Sequence, residues 1–229
     1  MTLEIRNKGY YILNISYPNN TPAASLKDSD DVLAFDHFRQ EICYGDNLSD
    51  AVTVAPFNSI VTRAEYLLTY LNATYPTHNW GQFLNGDGTI KWSAVTVSGH
   101  SQGAGHAGYL AKQHQVERVV MFSGPNDYSE HFEAPGAWLS AAGETPVERQ
   151  YVFLHAADEV VPYTQQFANV QAMGIIGVED TTVLMDDLSG DYENANAYHT
   201  ELPAISKHGA TVGQAWKIRQ FHNYLFRIE

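Results

Sequence analysis

Cysteine is nearly absent. Cys43 is the only one in 229 residues, so no internal disulfide can form. It falls in Phe38-Arg-Gln-Glu-Ile-Cys43, late in a helical pattern, and reads as a buried small hydrophobe rather than a nucleophile. Basic residues are also scarce: 13 Lys and Arg stand against 26 Asp and Glu, for a formal net charge of −13. That balance argues against nucleic acid and against anionic membranes as partners, because both call for a basic surface. Long apolar runs are missing as well. No segment reaches membrane-spanning length, and Met1-Thr-Leu-Glu-Ile-Arg6 lacks the apolar core of a signal peptide. The expectation is a soluble protein without membrane insertion, cytoplasmic by default, or secreted if a leader has been removed. The 14 Tyr, 10 Phe and 4 Trp also suit a mature secreted enzyme.

Other absences narrow the chemistry. The ten histidines include no pair at metal-ligand spacing on one helix, so no zinc site is expected. A Gly-x-Gly-x-x-Gly or P-loop at the first strand is missing, which makes a nucleotide-binding α/β protein a poor fit. Asn85-Gly-Asp-Gly88 holds too few carboxylates for calcium and reads as a tight surface turn. Asp186 to Asn194 reads as a solvated acidic loop, with calcium binding as the lesser alternative. There is no internal repeat, heptad pattern or low-complexity tract.

What is present is organised around Ser93-Ala-Val-Thr-Val-Ser-Gly-His-Ser-Gln-Gly-Ala-Gly-His106. Val95 and Val97 mark a short β-prone run, and Ala104 to Lys112 can continue as a helix. Between them, Gly99-His100-Ser101-Gln102-Gly103 fits Gly-x-Ser-x-Gly. A serine on so sharp a strand-to-helix turn sits in a strained backbone, with neighbouring chain pressed close. Side-chain-free residues are therefore needed two positions before it and two after. The turn lifts the Ser101 hydroxyl to a helix N-terminus, where backbone N–H groups and the helix dipole can stabilise an oxyanion.

At these residues the chain resembles the α/β-hydrolase superfamily, over most of its length from about Tyr10 onward. The resemblance implies a mostly parallel central sheet flanked by helices, here with no large lid domain, as a single domain over residues 1–229. It also implies a triad in the chain order Ser, acid, His. The histidine then belongs to the loop after the last strand, which holds His199 and His208; His208-Gly-Ala-Thr lies directly before the last helix and is the first choice. Asp158, in Asp158-Glu-Val-Val-Pro162, resembles the usual acid loop, and Asp127 competes with it. Oxyanion donors are the N–H of Gln102 and one from the loop after the first strand. Many relatives carry His-Gly or Gly-Gly in that loop, but here it reads Tyr17-Pro-Asn19. Pro18 has no N–H, which leaves Tyr17 or Asn19.

The rest of the pattern agrees with alternating strands and helices. Strands are expected at Tyr10–Ser16, Val52–Ala55, Val116–Ser123, Tyr151–His155 and Asp180–Met185. One helix is expected through Val32 to Ile42, capped by Ser29 or Asp30. A second starts at Ile60 under an Asn58 or Ser59 cap and stops at Tyr75-Pro76, and a third is capped by Thr164 and closed by Gly174. A final helix is expected from Val212 to Phe226. The Asp127–Gln150 connection, with a short helix near Ala137, is too brief for a large cap. It implies an open site edged by Tyr128, Phe132 and Trp138, with His100 as a pocket wall.

The resulting expectation is a serine hydrolase acting on a small-molecule carboxylic ester through an acyl-enzyme, with Ser101, His208 and Asp158 as the triad. No cofactor is implied. A peptidase or amidase of the same fold is a narrower alternative. A non-catalytic binding domain is the alternative from another class.

Overall fold

The structure, a computed structural model, describes residues 9–155, 158, 160–177 and 182–185. Among the described residues four strands form one sheet: β1 (Thr96–His100), β2 (Arg118–Phe122), β5 (Gln150–His155) and β6 (Thr182–Met185). They lie in the order β1-β2-β5-β6, and every pairing is parallel. Between β2 and β5 sits a small antiparallel hairpin, β3 (Tyr128–Ser129) with β4 (Ala134–Pro135). Parallel neighbours cannot be joined by a tight turn and need a crossover. Three connections supply it: α3 (Gln102–Gln113), then the hairpin with the short helix α4 (Ala137–Ser140), then α5 (Tyr163–Ala172). Two earlier helices, α1 (Ala34–Tyr44) and α2 (Ile60–Thr74), pack on each other, and α1 also packs on α3. Among the described residues no helix is long and apolar enough to cross a membrane.

The core follows from the strand sequences. Val119, Val120, Met121 and Phe122 of β2 are wholly buried, as expected of a central parallel strand covered on both faces. Cys43 is buried with them, and burial pushes its thiol up to about 12. That leaves a packing residue with no thiolate at neutral pH.

Several local expectations are met. Ser59 caps α2, its side chain accepting from the Thr62 N–H, and the helix stops at Thr74 before Pro76. Asn85 to Gly88 form the tight turn, closed by the Gly88 N–H donating to Asn85 O at 3.0 Å. Gly174 follows α5 with φ +78°.

Others are corrected. Tyr10–Ser16 forms no ladder. Tyr10 hydrogen-bonds with the Thr96 side chain, and Tyr17 lies beside Gly103 and His106. The segment thus runs in the direction of β1, across a cavity from it. Val52–Ala55 also stays out of the sheet. Glu41, buried in α1, accepts the Val54 N–H at 2.7 Å and the Leu48 N–H at 2.9 Å, so a carboxylate takes the place of strand partners. Neither Ser29 nor Asp30 caps α1. The turn before it is held by Asp31, whose carboxylate accepts from the Leu33 N–H. Thr164 lies inside α5, which begins after Pro162 without a side-chain cap. The expected helix at Val212–Phe226 lies outside the described residues.

Candidate active site

Ser101 occupies the junction between β1 and α3 with φ 53° and ψ −120°. A non-glycine residue there is strained, and such strain persists only where the surroundings enforce it. The enforcement is visible. The Ser101 N–H donates to Phe122 O at 2.8 Å, extending the β1–β2 ladder by one step. On the other side, the Ala104 N–H donates to Ser101 O at 2.9 Å and starts the helix. The turn brings Gly99 hard against Gly103. A Cβ on Gly99 would lie 1.9 Å from Gly103 O. The reverse does not hold, because a Cβ on Gly103 would meet nothing nearer than the Tyr17 hydroxyl at 3.7 Å. The steric demand falls on the first glycine of the motif.

Gln102 is the node that ties this turn to the rest of the molecule. Its side-chain Oε1 accepts from the Ala23 N–H at 2.8 Å. Its Nε2 donates to Asn19 Oδ1 at 2.8 Å and to Thr21 O at 3.4 Å. The loop after Tyr17 is thereby pinned to the first turn of α3, next to Ser101. The Tyr17 ring packs edge-on to His106, with centroids 4.6 Å apart.

Behind the turn lies a buried polar cluster that sequence reasoning did not assemble. Arg39 of α1 and Asp127 are both fully buried and paired through two contacts, Nε to Oδ2 at 2.9 Å and Nη2 to Oδ1. The Trp138 indole N–H donates to the same Asp127 carboxylate at 2.7 Å. Arg39 Nη1 also donates to Gln102 O at 2.8 Å and faces His106 Nδ1 at 3.2 Å. An arginine can only donate, so His106 Nδ1 is the acceptor and the ring proton sits on Nε2. Burial and the Arg39 charge hold His106 well below the ordinary imidazole range, so it stays neutral. Gly105 makes room for this. A Cβ there would lie 2.2 Å from Arg39 Nη2. One signal was present in the sequence: Arg39 lies on the apolar face of α1, four residues after Phe35 and beside Phe38, where a solvated charge does not belong.

Asp127 is therefore the carboxylate of a buried ion pair. Asp158 sits in a different setting, past the C-terminal end of β5. Its Oδ1 accepts the N–H groups of Val160 and Val161 at 2.9 and 3.0 Å, and its Oδ2 accepts from Gln166 Nε2 at 2.9 Å. Asp158 thus lies on the same sheet rim as Ser101, since parallel strands share their C-terminal edge.

Trp138, expected at the open rim, lies in the core at 2 % exposure against Tyr109, with its polar edge taken by Asp127. Tyr128 is half-buried in the β3–β4 hairpin, and Phe132 is exposed. His100 lines a cavity beside β1. Both histidines proposed as general base, His199 and His208, lie outside the described residues.

No protein-family model, curated protein or solved structure matches this chain.

Proposed function

We propose that the chain is a serine hydrolase of the α/β-hydrolase type, acting on carboxylic esters. The observation that carries the reading is the backbone of Ser101: a non-glycine residue at φ 53°, ψ −120°, between a parallel strand and a helix N-terminus. Strain of this kind concentrates where a side chain must be presented for chemistry. The order of elements supports it too. Ser101 follows β1 and Asp158 follows β5, two strands over in the same parallel sheet.

In this reading Ser101 Oγ attacks the ester carbonyl carbon while His208 takes its proton. The tetrahedral oxyanion is held by the Gln102 N–H and by a backbone N–H of Tyr17 or Asn19. The clamp from the Gln102 side chain to the loop at Asn19–Ala23 keeps the two donor segments together. His208 then returns the proton to the departing alcohol, and water repeats the sequence on the acyl-enzyme. Asp158 orients the imidazole. The engagement of Asp127 with Arg39 and Trp138 favours Asp158 for that role.

Labelling with a fluorophosphonate probe tests this. The expected result is modification at Ser101, lost in Ser101→Ala and strongly slowed in His208→Ala. Folded wild-type protein that takes up no label, or takes it up elsewhere, would overturn the reading and leave a non-catalytic binding domain.

A further inference from the structure

A cavity of about 740 Å³ lies between β1 and the segment Tyr10–Tyr17. Its volume is in the range of small-molecule sites, roughly 300–1,000 Å³. One end touches the residues around the nucleophile, namely Gly99, His100 and Gly103. From there the cavity follows β1 back to Thr96, and five strand residues span about 17 Å. The walls along this course are mostly apolar and aromatic, with Leu68, Phe83, Ile90, Trp92, Val97 and Leu110, interrupted by the polar side chains of Asn14, Gln82 and Ser98.

The charges around it are equally informative. Among the described residues that line it there is no lysine or arginine, and Glu117 is the single carboxylate. Among those residues no ammonium or guanidinium is offered to an anionic head group, and Glu117 repels one. An uncharged, elongated, apolar body is what this space accommodates. Its end at Gly99, His100 and Gly103 adjoins the turn that carries Ser101, so in the hydrolase reading such a body is attached to the group that reacts there.

We propose that this cavity takes the acyl chain of the substrate, so that the enzyme acts on neutral esters of medium to long acyl chains. The proposal rests on the serine hydrolase reading. At ordinary C–C bond lengths, about 17 Å accepts an extended chain on the order of a dozen carbons. Each methylene buried within it raises kcat/KM by about three- to fourfold, until the cavity is full.

The test is the acyl-chain profile of p-nitrophenyl esters from acetate through octanoate to laurate, read beside fluorophosphonate labelling of Ser101. The expected profile climbs steeply from acetate through octanoate to laurate. Two variants fill the cavity from two different helices, Ala64→Phe on α2 and Ala107→Leu on α3. Each is expected to lower the laurate-to-acetate ratio of kcat/KM at least tenfold, and either one suffices if the other fails to fold. A flat or falling profile, or an unchanged ratio in a folded variant, overturns the acyl-chain proposal while Ser101 still labels. Absence of labelling at Ser101 overturns the hydrolase reading and this proposal with it.

Discussion

Arg39 and Asp127, 88 residues apart in the chain, form a fully buried ion pair directly behind the strained turn that carries Ser101. The pair reaches the turn through one hydrogen bond, from Arg39 Nη1 to the carbonyl of Gln102. Removing water from two charges is expensive. The cost is met here because Trp138, Gln102 and His106 supply further partners.

Asp127→Ala leaves the Arg39 charge buried and unpaired. The expected cost is about 3–5 kcal/mol of folding stability, read from urea denaturation midpoints. Asp158→Asn is expected to behave in the opposite way, with stability little changed and ester turnover falling on the order of a thousandfold or more, as when an orienting triad carboxylate is lost. Full activity in Asp158→Asn would remove Asp158 from the triad.

The glycines of the motif are predicted to be unequal. In Gly99→Ala the new methyl lands on the backbone of Gly103, which cannot move without breaking the start of α3. The soluble yield should collapse. Gly103→Ala adds a methyl in ordinary contact distance of the Tyr17 hydroxyl and is expected to change stability by no more than about 1 kcal/mol. Thermal denaturation of both proteins checks the asymmetry.

Gly105→Ala should act through Arg39, because the added methyl occupies the position of the guanidinium. Its effect and that of Arg39→Met are then two ways of disrupting one unit. The double variant is expected to lose less stability than the sum of the singles, by at least about 1 kcal/mol. Simple additivity in the cycle would show that Gly105 matters for another reason.

His106 predicts an acid limit. Its native pKa is depressed well below 6.5, by burial first and the Arg39 charge second, whereas an unfolded imidazole titrates near 6.5. Below that value the unfolded chain binds a proton that the native site refuses, so stability falls as the pH drops. His114, also depressed by burial, adds in the same direction. The contribution is fully present above about pH 6.5. Melting temperatures between pH 7.5 and 5 should fall more steeply in the wild type than in His106→Gln. Parallel curves would count against it.

What the sequence determined by itself is local. Gly99 to Gly103 specify a strand-to-helix turn with Ser101 at its apex, because the steric rules for that turn operate within five residues. Ser59 at the start of α2 and Pro76 past its end act over one helical turn. Apolar runs separated by a helical stretch, such as Val95–Val97 and Val116–Ser123 on either side of Ala104–Lys112, imply a parallel sheet because short links cannot join parallel strands. Tertiary structure decided whatever depends on partners far away in the chain. Asp127 reads as a rim carboxylate until Arg39 is placed beside it. Trp138 reads as a rim aromatic until Asp127 accepts its indole N–H. Tyr10–Ser16 has the composition of a buried strand, yet it faces β1 across a cavity, since a ladder needs register with a neighbour that composition does not specify. The Gln102 side chain holds Ala23 from 79 residues away. A hydrogen bond of that reach is made by the packing of α3 against the loop, and no local pattern encodes it.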